Sequence, residues 1–309
     1  MTINFKEGIL IPIDKPYGVT SFKALAHIRY LCSHALGGKV KMGHAGTLDP
    51  LATGVLVLAT GKKTKQIETL QQHTKEYVAT IQLGATTVSY DMEHPVSANF
   101  PTEHITRELI LETLQQFIGE IEQIPPTYSA VKVNGVRAYD VRRNGEHIEL
   151  KPKHVRIDEI EVVSFDAEKM QLVLRVVCGK GTYIRALARD LGRACDNAAH
   201  ISALRRTASG VVSIGACHTV EELSAESADG FALDPIAALG ATRVDLPGNL
   251  AEDLLCGRRI PIERALAGFD ASKAPFALVL DGGLKALARI EGGRFVMEHV
   301  FPQAIGGVR

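Results

Sequence analysis

The chain has 309 residues, of which 46% are hydrophobic and 23% are charged. This composition is typical of a folded protein with a sizeable core and excludes a largely disordered chain, and the length leaves room for two domains. The 35 Lys and Arg residues balance 35 Asp and Glu residues, so the net charge does not indicate a polyanionic partner. Any affinity for nucleic acid must therefore come from local clusters of positive charge.

The five cysteines are widely spaced and form no CxxC pair, which argues against a zinc site and against a disulfide scaffold. The first residues lack the pattern of a secretory signal, and no apolar run reaches the roughly 18 residues that cross a bilayer. We therefore expect a cytoplasmic protein with no membrane segment and no bound metal.

The first 123 residues contain clear helix, loop and strand signals. Ser21 is expected to cap a helix with a regularly spaced apolar side, and the Gly-rich, basic segment 37–54 is predicted to be a loop. Strands are predicted at 55–59, which is continuously apolar, and at 76–83, which alternates. A helix is predicted at 105–117.

The second half begins with a Pro-rich, Gly-rich and basic run at 124–150, which predicts a partly mobile excursion. Strands are predicted at 155–163 and 171–178, followed by a turn and a helix within 179–192. The segment 224–248 is predicted to be a linker. Beyond it, residues 249–309 predict a small β-rich domain that contains one short helix.

The string GHAGTLDPLATG, residues 43–54, carries the most information about function. A lone aspartate in a loop usually forms a turn or caps a helix, so Asp49 alone would not indicate catalysis. The whole string, however, resembles the catalytic loop of the bacterial pseudouridine synthases that modify the T loop of tRNA. Five further blocks resemble the same family in the same order: LIPIDKPYGVTSF at 10–22, KEYVATIQLG at 75–84, IPPTYSAVKVNGVRAY at 124–139, GKGTYIRALARDLG at 179–192 and HISALRRTASG at 200–210.

The resemblance implies an α+β fold with a mixed, mostly antiparallel sheet, flanking helices and an active cleft across the sheet. It implies a catalytic domain over 1–235, with an RNA-binding excursion at about 124–150, and a PUA-like RNA-binding domain over 249–309. The implied reaction isomerises uridine 55 in the T loop of tRNA to pseudouridine. The implied partner is the T stem-loop, with no obligate protein partner.

Three residues inherit catalytic roles from the resemblance. Asp49 resembles the nucleophile, Arg185 the arginine that pairs with the catalytic carboxylate, and Tyr77 the tyrosine that lies against the target uracil. A buried carboxylate must stay ionised to react, and a neighbouring guanidinium favours the ionised form. The isomerisation adds and removes no atom, so we expect no cofactor.

The remaining roles concern binding of the substrate. Tyr183 and Leu204 resemble residues that line the base pocket, and His44 resembles the histidine that supports the RNA where the flipped uridine leaves its stack. An aromatic ring can replace some of the stacking lost by a flipped base. Asp91 aligns only loosely with an acidic position of the family, so its role stays open. So do the carbon that Asp49 attacks, C1′ or C6, and the group that removes the C5 proton.

Basic residues in or beside these blocks predict a positively charged lining around the pocket. They are Lys39, Lys41, Lys62, Lys63, Lys65, Lys132, Arg137, Arg142, Arg143, Arg205 and Arg206.

Three other functions are alternatives to a tRNA pseudouridine synthase. A metal-dependent hydrolase built on His44 and Asp49 lacks an HExxH or similar cluster. The second is a protein that binds RNA without catalysis, and the third is the guide-RNA-dependent relative that works inside a ribonucleoprotein.

Overall fold

The computed structural model describes residues 8–35, 37–129, 131–133, 136–137, 141, 150–223, 232–265 and 269–305. The strands, in chain order, are β1 Leu10–Lys15, β2 Met42–His44, β3 Ala52–Thr60, β4 Lys75–Leu83, β5 Ala85–Thr87, β6 Val96–Asn99, β7 Gly119–Gln123, β8 Lys132–Val133, β9 Val136–Arg137, β10 Lys153–Asp166, β11 Gln171–Cys178, β12 Ala199–Ser209, β13 Val212–Ser213, β14 His218–Thr219, β15 Thr242–Asp245, β16 Ile260–Pro261, β17 Phe276–Leu280, β18 Gly283–Glu291 and β19 Arg294–Ile305.

The described helices are α1 Ser21–Ala35, α2 Ile67–Gln72, α3 Arg107–Leu114, α4 Ile184–Ala194, α5 Pro235–Ala238 and α6 Ala251–Leu255. None of the helices in the described part of the chain is long and apolar enough to cross a bilayer. Most of the predicted excursion at 124–150 lies outside the described residues, although β8 and β9 within it pair as a short antiparallel hairpin.

Contacts divide the chain into two compact units. One, which we call the loop-and-sheet unit, comprises residues 49–54 and 72–209; the other comprises residues 1–48, 55–71 and 210–309. The predicted catalytic domain at 1–235 and the predicted PUA-like domain at 249–309 stay predictions.

The loop-and-sheet unit is built on an antiparallel sheet with the order β12, β4, β11, β10, β7. Residues 52–54 of β3 pair in parallel with β12, so the sheet is mixed. Helix α4 packs its apolar side on one face of this sheet, in a core shared with β4 and β11. This core includes Ala79, Ile81, Leu174, Leu187 and Leu191. The arrangement confirms the α+β fold with a mixed, mostly antiparallel sheet.

In the other unit, β3 is buried on both faces, which explains its continuous apolar sequence. Leu56 and Leu58 face α1 in one core cluster, whereas Val55 and Val57 face a second cluster that includes residues of the C-terminal strands. Those strands form a five-stranded sheet in the order β15, β17, β18, β19, β16. The prediction of a β-rich C-terminal region is confirmed.

Three local predictions were wrong. Segment 37–54 is not all loop, because Met42–His44 pairs with β3 and residues 52–54 belong to β3. The predicted linker at 224–248, as far as it is described, contains α5, which Asp234 caps, and β15, which pairs with β17. Ser21 is not a helix cap: the Thr20 hydroxyl accepts from the Lys23 N–H at 3.1 Å.

Gly54 allows β3 to approach β12 closely. Its φ is +106°, and a Cβ atom there would lie 2.1 Å from the carbonyl oxygen of Arg206. We therefore expect Gly54→Ala to lower the free energy of unfolding by at least about 2 kcal/mol, measured by urea denaturation. Gly248→Ala is the matched control, because a Cβ atom there meets nothing within 4 Å. Equal unfolding midpoints for the two variants would contradict this account.

Candidate active site

A pocket in the loop-and-sheet unit contains two carboxylates and one guanidinium. Asp49 lies at the start of the turn that leads into β3, where its carbonyl oxygen accepts from the Ala52 N–H at 3.1 Å. Residues of β12 and of the segment between β5 and β6 form the walls. The complete lining is Asp49, Leu51, Ala52, Asp91, Met92, Arg185, Ile201, Ser202, Ala203 and Leu204.

Asp49 and Arg185 form a charge pair. Asp49 Oδ2 lies 2.8 Å from Arg185 Nε, and the side chains are 37% and 4% exposed. The Nε–H does not point along a hydrogen bond to that oxygen, so the contact is a charge pair at short distance. The Asp49 carboxylate therefore lines the pocket while a buried cation lies beside it.

The Arg185 guanidinium is fixed by two backbone carbonyls. Nη1 donates to the carbonyl oxygen of Ser89 at 3.0 Å, and Nη2 donates to that of Tyr128 at 2.9 Å. Arg185 and Arg189 are both buried, so neither is a solvated charge on the surface of α4. Arg189 instead donates to the carbonyl oxygen of Ile124 at 2.8 Å and pairs with the neighbouring Asp190.

Asp91 is the second carboxylate on the same guanidinium. It is buried, and its Oδ2 lies 3.5 Å from Arg185 Nη1. Its Oδ1 accepts from the Ser89 hydroxyl at 2.6 Å and from the Glu93 N–H at 3.0 Å. Tyr90, just before it, has a φ of +59°. The sequence left the role of Asp91 open; its buried carboxylate contacts the guanidinium that pairs with Asp49 and so anchors it.

Removing the charge of Asp91 should weaken this anchor. We expect Asp91→Asn to lower the free energy of unfolding by about 1–3 kcal/mol, because the buried guanidinium loses one of its two carboxylates. Denaturant unfolding measures the loss. Asp270→Asn is the control, since Asp270 is half exposed and pairs with Lys273 at 3.7 Å in a surface turn. A loss no larger than that of the control would contradict the anchoring role.

Tyr77 lies on the same face of the sheet as Leu204 and Arg206. Tyr77 pairs directly with Arg206 and Ala79 with Leu204, and directly paired residues and alternate residues of a strand share a face. An Arg206 N–H donates to the Tyr77 hydroxyl oxygen. Burial raises the pKa of the Tyr77 phenol; the charge and hydrogen bond of Arg206 oppose the rise, and the charge of Asp49 adds to it.

Tyr183 stands immediately before α4, two residues from Arg185. The Gln123 side chain holds it at both backbone groups: its Oε1 accepts from the Tyr183 N–H at 2.8 Å, and its Nε2 donates to the Tyr183 carbonyl oxygen at 3.1 Å. Burial raises the pKa of the Tyr183 phenol, and the charge of Asp49 contributes to the rise. Both predicted tyrosines therefore lie within electrostatic reach of Asp49.

His44 belongs to the other unit, at the end of β2, where it pairs with Leu58 and is half buried. The backbone just before Asp49 is also held there: the Ser21 hydroxyl accepts from the Leu48 N–H at 2.8 Å and donates to the Leu48 carbonyl oxygen at 3.0 Å. Sequence reasoning missed this contact, although Ser21 lies within a block that resembles the family.

The predicted basic lining needs one correction. Lys63 and Arg206 are buried, with 2% and 1% exposure, so neither is a surface charge. Arg142 and Arg143 lie outside the described residues.

Among the residues that the structure describes, no three His, Cys, Asp or Glu side chains are grouped so that they could hold a metal ion.

The mixed sheet and a pocket in which Asp49 pairs with Arg185 agree with the fold and site that the sequence predicts for a pseudouridine synthase. The chain belongs to the TruB family: residues 34–184 match the profile described as TruB family pseudouridylate synthase (N terminal domain), and residues 185–236 match that of the tRNA pseudouridylate synthase B C-terminal domain. The predicted family and enzyme class are confirmed.

Two sequence relatives support this membership, and one solved structure is similar in fold. A Bacteroides fragilis protein named tRNA pseudouridine synthase B is 58% identical over 216 residues, which cover 70% of this chain and 92% of that protein. A Mycobacterium bovis protein of the same name is 38% identical over 290 residues, 93% of each chain. The solved structure titled "Crystal Structure of a Cbf5-Nop10-Gar1 Complex" is similar in fold, with a TM-score of 0.67, 24% identity and coverage of 98% of this chain and 88% of that chain.

Proposed function

We propose that this chain isomerises uridine 55 in the T loop of tRNA to pseudouridine, with Asp49 as the nucleophile. The observation that carries the proposal is the half-exposed Asp49 carboxylate 2.8 Å from the buried Arg185 guanidinium. A carboxylate in this position can form a bond to the nucleotide, which divides the exchange of a C–N for a C–C glycosidic bond into easier steps.

The neighbouring residues have roles that fit this reaction. Tyr77, Tyr183 and Leu204 bind the flipped uracil, and His44 supports the RNA where the base has left its stack. Because its pKa is raised, the Tyr77 phenol stays protonated at neutral pH. It is therefore better suited to contact the uracil and donate a hydrogen bond than to remove the C5 proton as a base.

The choice of tRNA as substrate draws on the relatives named tRNA pseudouridine synthase B. The choice of the T loop draws on the GHAGTLDPLATG string and the block at 124–139, which resemble the bacterial enzymes that act alone. We therefore propose that the chain works in the cytoplasm without an obligate protein partner. Residues 249–309, whose described part is rich in strands, are proposed as a second, PUA-like contact for RNA.

The test is incubation of the purified chain with an unmodified tRNA T-arm hairpin and with full-length unmodified tRNA. Pseudouridine is then mapped chemically along each RNA. Modification at position 55 in both RNAs supports the proposal. Modification at another position would overturn the T-loop assignment, and modification only after addition of a guide RNA and partner proteins would favour the ribonucleoprotein alternative.

A further inference from the structure

Helix α1 exposes aromatic side chains that its own packing does not use. Phe22 and Tyr30 are 64% and 65% exposed, and Tyr17, in the turn before the helix, is 63% exposed. The Tyr30 ring stacks on His34, with centroids 5.9 Å apart and an angle of 18° between the planes. The opposite side of the helix supplies the core residues Ala24, Leu25, Ile28 and Cys32.

The same region carries only positive formal charge. Residues 16–48 contain no Asp or Glu, in a chain where acidic and basic residues are equally numerous. Lys23 and His27 are exposed on the side of α1 that bears Tyr30, and Lys39 and Lys41 are exposed just beyond the helix. A segment with positive charge and no Asp or Glu suits a polyanionic partner better than it suits a protein surface of mixed charge.

We propose that the outward side of α1, formed by Phe22, Lys23, His27, Tyr30 and His34 and called here the α1 face, contacts the RNA substrate through unpaired bases and their phosphates. Exposed aromatic rings next to lysines are the usual means of binding unpaired nucleotides, because any base can stack on a ring while the cations contact the backbone. The proposal rests on the proposed function, since it takes the same RNA as the partner, and adds a contact beyond the base pocket.

The aromatic part of the α1 face is tested with the double variant Phe22→Ser, Tyr30→Ser in the full chain. Affinity for unmodified tRNA is measured by fluorescence anisotropy, and kcat and KM are measured from pseudouridine formation. We expect the double variant to bind about tenfold more weakly or worse, with a higher KM and an unchanged kcat at saturating RNA. Val163→Ser is the matched control, because Val163 is 56% exposed and lies on β10 of the loop-and-sheet unit.

The cationic part is tested by the dependence of affinity on salt. Lys23→Ala should lower the slope of log affinity against log salt concentration by about 0.7–0.9, the value for one lost phosphate contact. A purely structural role of Lys23 would leave that slope unchanged. If the double variant melts at a lower temperature than the wild type, Lys23→Ala decides the test, because the slope does not depend on folding stability.

Unchanged affinity of the double variant together with an unchanged slope for Lys23→Ala would overturn the proposal and leave the α1 face to a protein partner. This outcome differs from failure of the proposed function. If the wild-type chain forms no pseudouridine in tRNA, the assigned reaction is wrong whatever the α1 variants do. If it does form pseudouridine and the variants bind as tightly as the control, only the role of the α1 face fails.

Discussion

Asp49→Asn should abolish pseudouridine formation, with a fall in kcat of about 10⁴-fold or more. The amide has nearly the same size as the carboxylate but is a far weaker nucleophile, and it no longer pairs as an anion with Arg185. The pocket keeps its shape, so affinity for unmodified tRNA should change little. Single-turnover conversion of a T-arm hairpin measures the first effect, and fluorescence anisotropy measures the second.

Asp166→Asn is the control for this variant. Asp166 is 40% exposed on its side chain, similar to the 37% of Asp49, but it pairs with Lys169 in a surface turn. It should retain full activity. If Asp49→Asn kept activity within tenfold of the wild type, the nucleophile assignment would be wrong. A wild-type chain that binds RNA tightly without converting it would instead favour a protein that binds RNA without catalysis.

The local patterns were sufficient to predict most of the sheet and helices. The alternation at 76–83 predicted β4, and the apolar run at 55–59 predicted the centre of β3. The helical spacing within 179–192 predicted α4. These signals work because burial of one or both faces of an element fixes its apolar period. The segment Met42–His44 gave no strand signal, because three residues are too few to show an alternation and Gly43 lies at their centre.

The site was predictable only where the family string supplied it. Neither residue type nor spacing predicts that Asp49 pairs with Arg185. The resemblance to the family predicts this pair, and the 2.8 Å distance between Asp49 Oδ2 and Arg185 Nε agrees with it. The buried state of Asp91 and Arg206 could not be predicted, because Arg185, which pairs with Asp91, and Tyr77, which accepts from Arg206, come from segments distant in sequence. Arg206 lies on the same face of β12 as Leu204, but its hydrogen bond to Tyr77 depends on the register between β12 and β4, which the sequence does not show.

Arg185 should be the second most sensitive position, because two carboxylates and two carbonyl oxygens surround one buried guanidinium. Asp49 and Asp91 supply carboxylates, and Ser89 and Tyr128 supply carbonyl oxygens. Arg185→Met leaves these groups without their cation, and we expect the free energy of unfolding to fall by about 3–5 kcal/mol. Arg185→Lys restores a charge but not the planar fork, so it should recover stability more than kcat, which we expect to stay about 100-fold below the wild type.

Arg193→Met is the matched control on the same helix, since the Arg193 side chain is 64% exposed and lies 4.0 Å from Asp190. It should change neither stability nor kcat appreciably. Denaturant unfolding and single-turnover conversion of the T-arm hairpin measure both quantities for all three variants. If Arg185→Lys regained full kcat, a point charge near Asp49 would be sufficient, and the directional bonds to Ser89 and Tyr128 would matter only for folding. A persistent loss of kcat in a stable lysine variant would mean that the fork positions the Asp49 carboxylate for attack.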